Sequence, residues 1–292
     1  MILIVGATGD LGSRITDALL QQGEPVRALT RDGASVAERW PGVDVVTGDL
    51  KEPGTLSAAC TGVDTVITTA NATSRTAPDT VESVDLTGNL NLIEAAENAG
   101  VRLFVFVSAL GAAPDHPMPL LRAKGLSEER LRASGMASVI LQPDVFMDRL
   151  IPIVVGDPAL SNRPVTLVGD GDRHHSFVAM GDVAAYALAV LQHDGEPGHQ
   201  TIRIGGPRPL SWRDVVAAFE HELDRRVAVH TVPPGGPAGD LPDFVVQLLT
   251  ALEGYDSPVD MTLTSATFGV EPTDLESFVH AFVSAAPTSV PS

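Results

Sequence analysis

Cysteine is almost absent from this 292-residue chain: Cys60 is the only one. A lone thiol can form no internal disulfide and no cysteine-based metal centre. Basic charge is also scarce, with 19 Lys and Arg against 37 Asp and Glu and a formal net charge of -18. Such a surplus reads as a well-solvated surface, and it repels phosphate backbones and anionic lipids, which argues against nucleic acid or a membrane as partner. Lysine occurs only at Lys51 and Lys124, and tyrosine only at Tyr186 and Tyr255. No apolar run is long enough to span a bilayer, and the apolar start is short for a signal core and has no basic leader, so a cytoplasmic location is the default expectation. His174 and His175 are adjacent, but no carboxylate or third ligand stands at metal spacing, and no metal site is expected.

What the chain does have begins at its first residues. The apolar run Met1-Ile-Leu-Ile-Val5 leads into Gly6-Ala-Thr8-Gly9-Asp10-Leu11-Gly12 and then into a helix-like stretch, 13–22. Glycines between a strand and a helix permit a tight bend and a close backbone approach to a pyrophosphate, while the helix N-terminus presents amides and a positive dipole. A dinucleotide site follows as an expectation.

Beyond this turn, short β-branched runs alternate with helix-like segments, the pattern of a parallel sheet with crossover helices. Strands are predicted at 2–5, 26–30, 44–47, 65–68, 103–108 and 139–142, with helices at 36–39, 55–60, 86–99 and 120–134 between them. The fold class is α/β: a Rossmann-type doubly wound parallel sheet with a smaller C-terminal α/β substrate lobe. The expected domains are a cofactor-binding core at 1–150, an insertion at 151–172 with an added strand at 165–168, and a return to the core at 173–200. That return comprises a strand at 176–178 and a helix at 181–191. A C-terminal lobe at 201–284 carries strands at 201–204 and 227–232 and a helix at 211–223, and the tail 285–292, rich in Pro, Ser and Thr, is expected to fray. Scarce lysine with abundant Ala, Val, Gly and Arg suggests a coding genome rich in G and C, as in actinobacteria.

Several motifs taken together resemble the atypical, extended-type short-chain dehydrogenase/reductase family, in its NmrA-like NAD(P)-binding branch. They are the glycine turn, Val26-Arg-Ala-Leu-Thr-Arg31, Thr47-Gly-Asp49-Leu50, Asp85-Leu-Thr-Gly88-Asn-Leu-Asn91 with Glu94-Ala-Ala-Glu-Asn-Ala-Gly-Val101, Phe106-Val-Ser108, Lys124, and Leu141-Gln-Pro143 with Phe146-Met147. The resemblance implies that Asp49 and Leu50 contact the adenine and that Pro143 and Phe146 belong to the cofactor site. Thr69, Ala70 and Asn71, small residues after the fourth strand, are expected along the middle of the cofactor.

At the end of the second strand, where an acidic residue would hold a ribose diol, stands Arg31. A guanidinium there pairs with a 2′-phosphate and points to NADP(H), a preference that Asp32 beside it would soften.

In the wider family a serine after the fifth strand binds the reacting oxygen, and a Tyr-x-x-x-Lys pair, one helical turn apart, handles the proton. By that resemblance Ser108 takes the serine position and Lys124 the lysine position, but the tyrosine position holds Leu120, which has no proton to give. His116, in the loop after the fifth strand, Ser108 and Asp144 are alternative proton sources, together with water and a substrate hydroxyl. Two functions stay open. The first is an NADPH-dependent reductase of a ketone, such as a bulky aromatic or polyketide natural product. The second is a non-catalytic NADP(H)-sensing regulatory protein of the NmrA-like kind. Substrate identity and oligomeric state are not readable from these residues.

Overall fold

The computed structural model describes residues 1–72, 77–193 and 198–286, and they divide into two compact units. Residues 1–143 and 183–203 form the first, 144–182 and 204–292 the second. The described part of the C-terminal stretch ends at residue 286, and the expectation for the rest of the tail lies outside the described residues.

The first unit is built on β1 (Ile2–Val5), α1 (Asp10–Gln21), β2 (Val26–Thr30), α2 (Gly33–Arg39), β3 (Asp44–Thr47), α3 (Pro53–Cys60) and β4 (Thr65–Thr68). A π-helical segment, Val81–Gly88, then runs into α4 (Asn89–Asn98), followed by β5 (Leu103–Val107), α5 (Pro119–Arg132) and β6 (Ala137–Pro143). Sheet order is β3-β2-β1-β4-β5-β6, extended past β6 by the strand His199–Ile204. Pairings from β3 across to β6 are all parallel, and the order reverses between β1 and β4. Parallel strands covered on both faces must be apolar throughout; β1 and β4 are accordingly buried at every residue. Helix α1 turns Leu11, Ile15 and Leu19 inward at four-residue spacing, and it ends where Gly23 adopts φ +76°.

This unit's core contains Leu3, Leu56, Val66, Leu92, Phe104 and Ile140. Cys60 lies inside it, and burial pushes its thiol up to about 11, which leaves it protonated and unreactive at neutral pH.

One expectation is corrected here. The strand predicted at 176–178 does not return to the large sheet. Among the described residues Val178 bridges only to Phe146, in an isolated bridge, and both belong to the second unit. The seventh strand is His199–Ile204, which the sequence had placed in the C-terminal lobe. Its four exposed positions out of six make it an edge strand with little apolar signature. The expected return segment 173–200 therefore divides: 173–182 joins the second unit, and the helix Met180–Gln192 enters the first from Val183 onward.

The second unit has its own core, centred on Ile151, Val155, Phe177, Trp212, Val215 and Phe219. The added strand Val165–Val168 is present and pairs in parallel with Val229–Val232 as a two-stranded sheet. Helix Trp212–Glu222 starts from a capping box made by Ser211 and Asp214. No described helix is long and apolar enough to cross a membrane.

Candidate functional site

The glycine turn closes as a dinucleotide cradle should. Gly6 takes φ +87°, and the Gly9 amide donates to its carbonyl at 3.0 Å. A Cβ on Gly12 would overlap that same carbonyl, so the helix can approach the turn this closely only with glycine. Helix α1 has Gly9 as N-cap, a residue with no side chain to cap the helix, and a helix start of this kind suits a phosphate. Thr8, Gly9 and Asp10 are exposed at this end, while Leu11 and Gly12 are buried beneath it.

Beside the turn opens a cavity of about 210 Å³, lined in part by Gly6, Thr8, Arg31, Asp49, Leu50 and Ala70. These are predicted cofactor residues from four separate stretches of sequence. Asn91 holds the floor by donating to the Leu50 carbonyl at 3.0 Å. Asp32 also lines the cavity, yet its carboxylate caps α2, accepting from the amides of Ala34 and Ser35 at 3.1 and 3.3 Å. Arg31 is half exposed and its Nη1 meets the buried Asp79 at 2.8 Å. The other oxygen of Asp79 accepts from Lys51 at 2.6 Å, and the same carboxylate, with Asp49, holds the Lys51 ammonium above its ordinary range.

Further along the sheet, the C-terminal ends of β4 and β5 meet α5. Thr69 and Ala70 are buried there and Asn71 is exposed. Lys124 is buried, with Nζ 3.2 Å from the Val107 carbonyl, 3.5 Å from that of Ala70, 3.6 Å from the Asp85 carboxylate and 4.9 Å from the Phe106 ring centre. Asp85 accepts from the Ala72 amide at 2.9 Å through its other oxygen. Burial pushes the Lys124 ammonium down from its ordinary range, against the pull of Asp85 and Glu128. Three contacts all longer than 3.1 Å hold this ammonium loosely, and a diol could tighten around it.

Ser108 occupies the strand end expected of it but donates its hydroxyl to the buried carboxylate of Glu128 at 2.5 Å. Glu128 also accepts from Gln142 at 2.8 and 3.1 Å and from Arg132 at 2.8 Å. These bonds pin α5 to β5 and β6. His116 is half-buried in the loop before α5, and its Nδ1 accepts from the Met118 amide at 3.0 Å, which puts the ring proton on Nε2 in the neutral form. Leu120 precedes Lys124 by one turn of α5, with no hydroxyl to offer.

Pro143 ends β6 in the first unit, whereas Phe146 lies in the second. There Asp144 accepts from the Ser176 amide at 2.7 Å and from Ser257 at 2.6 Å, and burial pushes its carboxyl up to about 6. Ser257 in turn contacts Nδ1 of the buried His175 at 2.7 Å. Among the described residues no three His, Cys, Asp or Glu side chains gather as a metal site. Sequence reasoning gave no role to Lys51, Asp79, Asp85 or Glu128. The scarcity of lysine flags Lys51, and the four-residue spacing from Lys124 flags Glu128.

Residues 6–194 match the family model described as NAD(P)H-binding. The chain belongs to that family. Its relatives include the NAD(P)H azoreductase of Xenophilus azovorans, 36% identical over 230 residues, covering 78% of this chain and 75% of the azoreductase. The photosystem II assembly factor Ycf39 of Synechocystis is 32% identical, covering 80% of this chain and 70% of that protein. A (4-alkanoyl-5-oxo-2,5-dihydrofuran-3-yl)methyl phosphate reductase of Streptomyces griseus is 30% identical, covering 77% and 74%. The NADPH-dependent quinone oxidoreductase QOR2 of Escherichia coli, solved with NADPH, superposes with a TM-score of 0.79 over 97% of this chain and 100% of its own, at 22% identity. That likeness is one of fold, a parallel α/β sheet of the Rossmann type. The azoreductase, the quinone oxidoreductase and the furanone phosphate reductase are NAD(P)H-dependent or reducing enzymes by name.

Proposed function

We propose that this protein is an NADPH-dependent reductase that delivers hydride to the carbonyl carbon of a ketone, with a bulky aromatic or polyketide compound as the substrate class. The observation that carries the reading is Lys124, buried at the ends of β4 and β5 on the same unit as a glycine cradle and a cavity containing Arg31. Bound NADPH supplies the hydride; the carbonyl electron pair moves onto oxygen, and a proton completes the alcohol. The chain's part is to hold and to orient. The amides at the start of α1 would hold the pyrophosphate, Arg31 the 2′-phosphate, and Lys124 the nicotinamide ribose hydroxyls.

Leu120 cannot protonate the developing alkoxide, and the Ser108 hydroxyl is engaged as hydrogen-bond donor to Glu128. The proton therefore comes from water, from His116, or from a hydroxyl hydrogen-bonded to the carbonyl within the substrate itself. Positioning supplies much of the rate in such a site. A cytoplasmic enzyme suits this reading, and the reductase names among the relatives favour it, with azo and quinone substrates as neighbouring chemistries.

A second reading has its own support. The commitment of Ser108 to Glu128, together with Leu120, suits an NADP(H)-sensing protein that performs no reduction, and the relatives include an assembly factor. NADPH consumption against a panel of aromatic and polyketide ketones, quinones and azo compounds separates the two. Turnover with a ketone is the expected result; no turnover with any of them, alongside tight binding of both NADP+ and NADPH, would favour the sensor.

A further inference from the structure

Arg31 lines the cavity together with Asp79, and Lys51 reaches that carboxylate from beside the lining residues Asp49 and Leu50. One buried carboxylate, Asp79, bridges Arg31 to Lys51: Oδ2 lies 2.8 Å from Arg31 Nη1 and Oδ1 lies 2.6 Å from Lys51 Nζ. Asp79 is 5% exposed, whereas Arg31 is 51% and Lys51 27% exposed, so the anion is at the bottom and both cations reach solvent. Two cations that share the two oxygens of one carboxylate are already spaced to share two oxygens of one phosphate.

Among the described residues, two carboxylates stand against the two cations. Arg31 and Lys51 face Asp79 and Asp49, the latter 3.6 Å from Lys51. Asp32 is turned onto the amides of α2. A phosphate monoester carries close to two negative charges at neutral pH. It is drawn by the two cations and repelled by Asp79 beneath them.

We propose that Lys51 is the second cation of the 2′-phosphate site and that Asp79 is the counter-ion limiting how strongly the pair discriminates NADP(H) from NAD(H). The inference rests on the NADP(H) reading. Asp79 keeps the two side chains together in the absence of ligand and takes part of their charge. Discrimination is then a property of three residues from three segments rather than of Arg31 alone.

The test is titration of wild-type protein, Lys51→Met and Asp79→Asn with NADPH and with NADH, followed by nicotinamide fluorescence. Lys51→Met should weaken NADPH binding by about tenfold while leaving NADH within about twofold. Asp79→Asn should raise the NADPH-over-NADH preference by about threefold or more, because the asparagine oxygen still accepts a hydrogen bond but carries no charge. Retained NADH affinity shows that each variant is folded; a variant that loses NADH binding is replaced by Lys51→Gln or Asp79→Ser and titrated in the same way. Equal losses for both nucleotides in the lysine variant, or an unchanged or lower preference in the aspartate variant, would overturn the proposal. Wild-type protein with no preference for NADPH would instead overturn the reading on which it rests.

Discussion

The two ends of the candidate cofactor site hold their charges in opposite ways. At the adenosine end, Arg31 and Lys51 reach solvent and grip a buried carboxylate at 2.8 and 2.6 Å. At the β5–α5 end, the cation is buried and its partners stand off: among the described residues Lys124 has no polar partner nearer than the Val107 carbonyl at 3.2 Å. The tight bond in that region belongs to Ser108 and Glu128, a serine that the family resemblance assigns to the substrate. The difference separates recognition from chemistry. Partly exposed cations held over one buried carboxylate are suited to meet a ligand without first being desolvated themselves. A buried, loosely coordinated ammonium is costly to keep, which fits a ligand position better than a structural one.

That contrast is broken most directly at Lys124. Lys124→Met removes the cation and leaves Asp85 buried beside an apolar chain. Turnover with NADPH should fall by about a hundredfold, and unfolding stability by about 3 kcal/mol. A variant that keeps near wild-type turnover would return Lys124 to a structural role.

A smaller effect is expected at Ser108. If its hydroxyl braces α5 through Glu128, Ser108→Ala should lower kcat by less than about tenfold and cost about 1–2 kcal/mol of stability. A loss of a hundredfold or more, as when an oxyanion donor is removed, would place Ser108 on the substrate. The double variant Ser108→Ala with His116→Ala sharpens this. It should reduce turnover without abolishing it where the substrate supplies its own hydrogen bond, and complete loss would refute that version.

The smallest predicted effect lies in the second unit. The Asp144 carboxyl is raised to about 6 from an ordinary value of 3.8, so between those values the folded chain retains a proton that the unfolded chain has lost. Its contribution to stability is therefore fully present below the unfolded value and is lost as pH rises through 6. Asp144→Asn removes this slope. From pH 5 to pH 7.5 the stability of the variant relative to wild type should rise by about 1 kcal/mol in urea unfolding; no pH-dependent difference would mean that the carboxyl ionises freely.

The same contrast marks what the sequence could disclose. The glycine turn and Arg31 are legible because their roles depend on local order: strand, turn, helix, then the end of the next strand. Asp79 is not, because it meets Arg31 across 48 residues of sequence. Glu128 misleads for another reason. A charged residue on a helix ordinarily faces solvent, and only the packing of α5 on β5 and β6 buries this one. The seventh strand is hard to place from sequence because His199–Ile204, with four polar residues of six at the sheet edge, has a weak pattern, while the apolar Phe177 and Val178 are buried without joining a ladder.

The central claim is that the first unit is built to take NADP(H) through Arg31. Dissociation constants for NADPH and NADH, measured on wild-type protein and on Arg31→Ala, test it most directly. The account predicts tighter wild-type binding of NADPH, a loss of at least about tenfold for NADPH in the variant, and little change for NADH. Equal losses for the two nucleotides would contradict it.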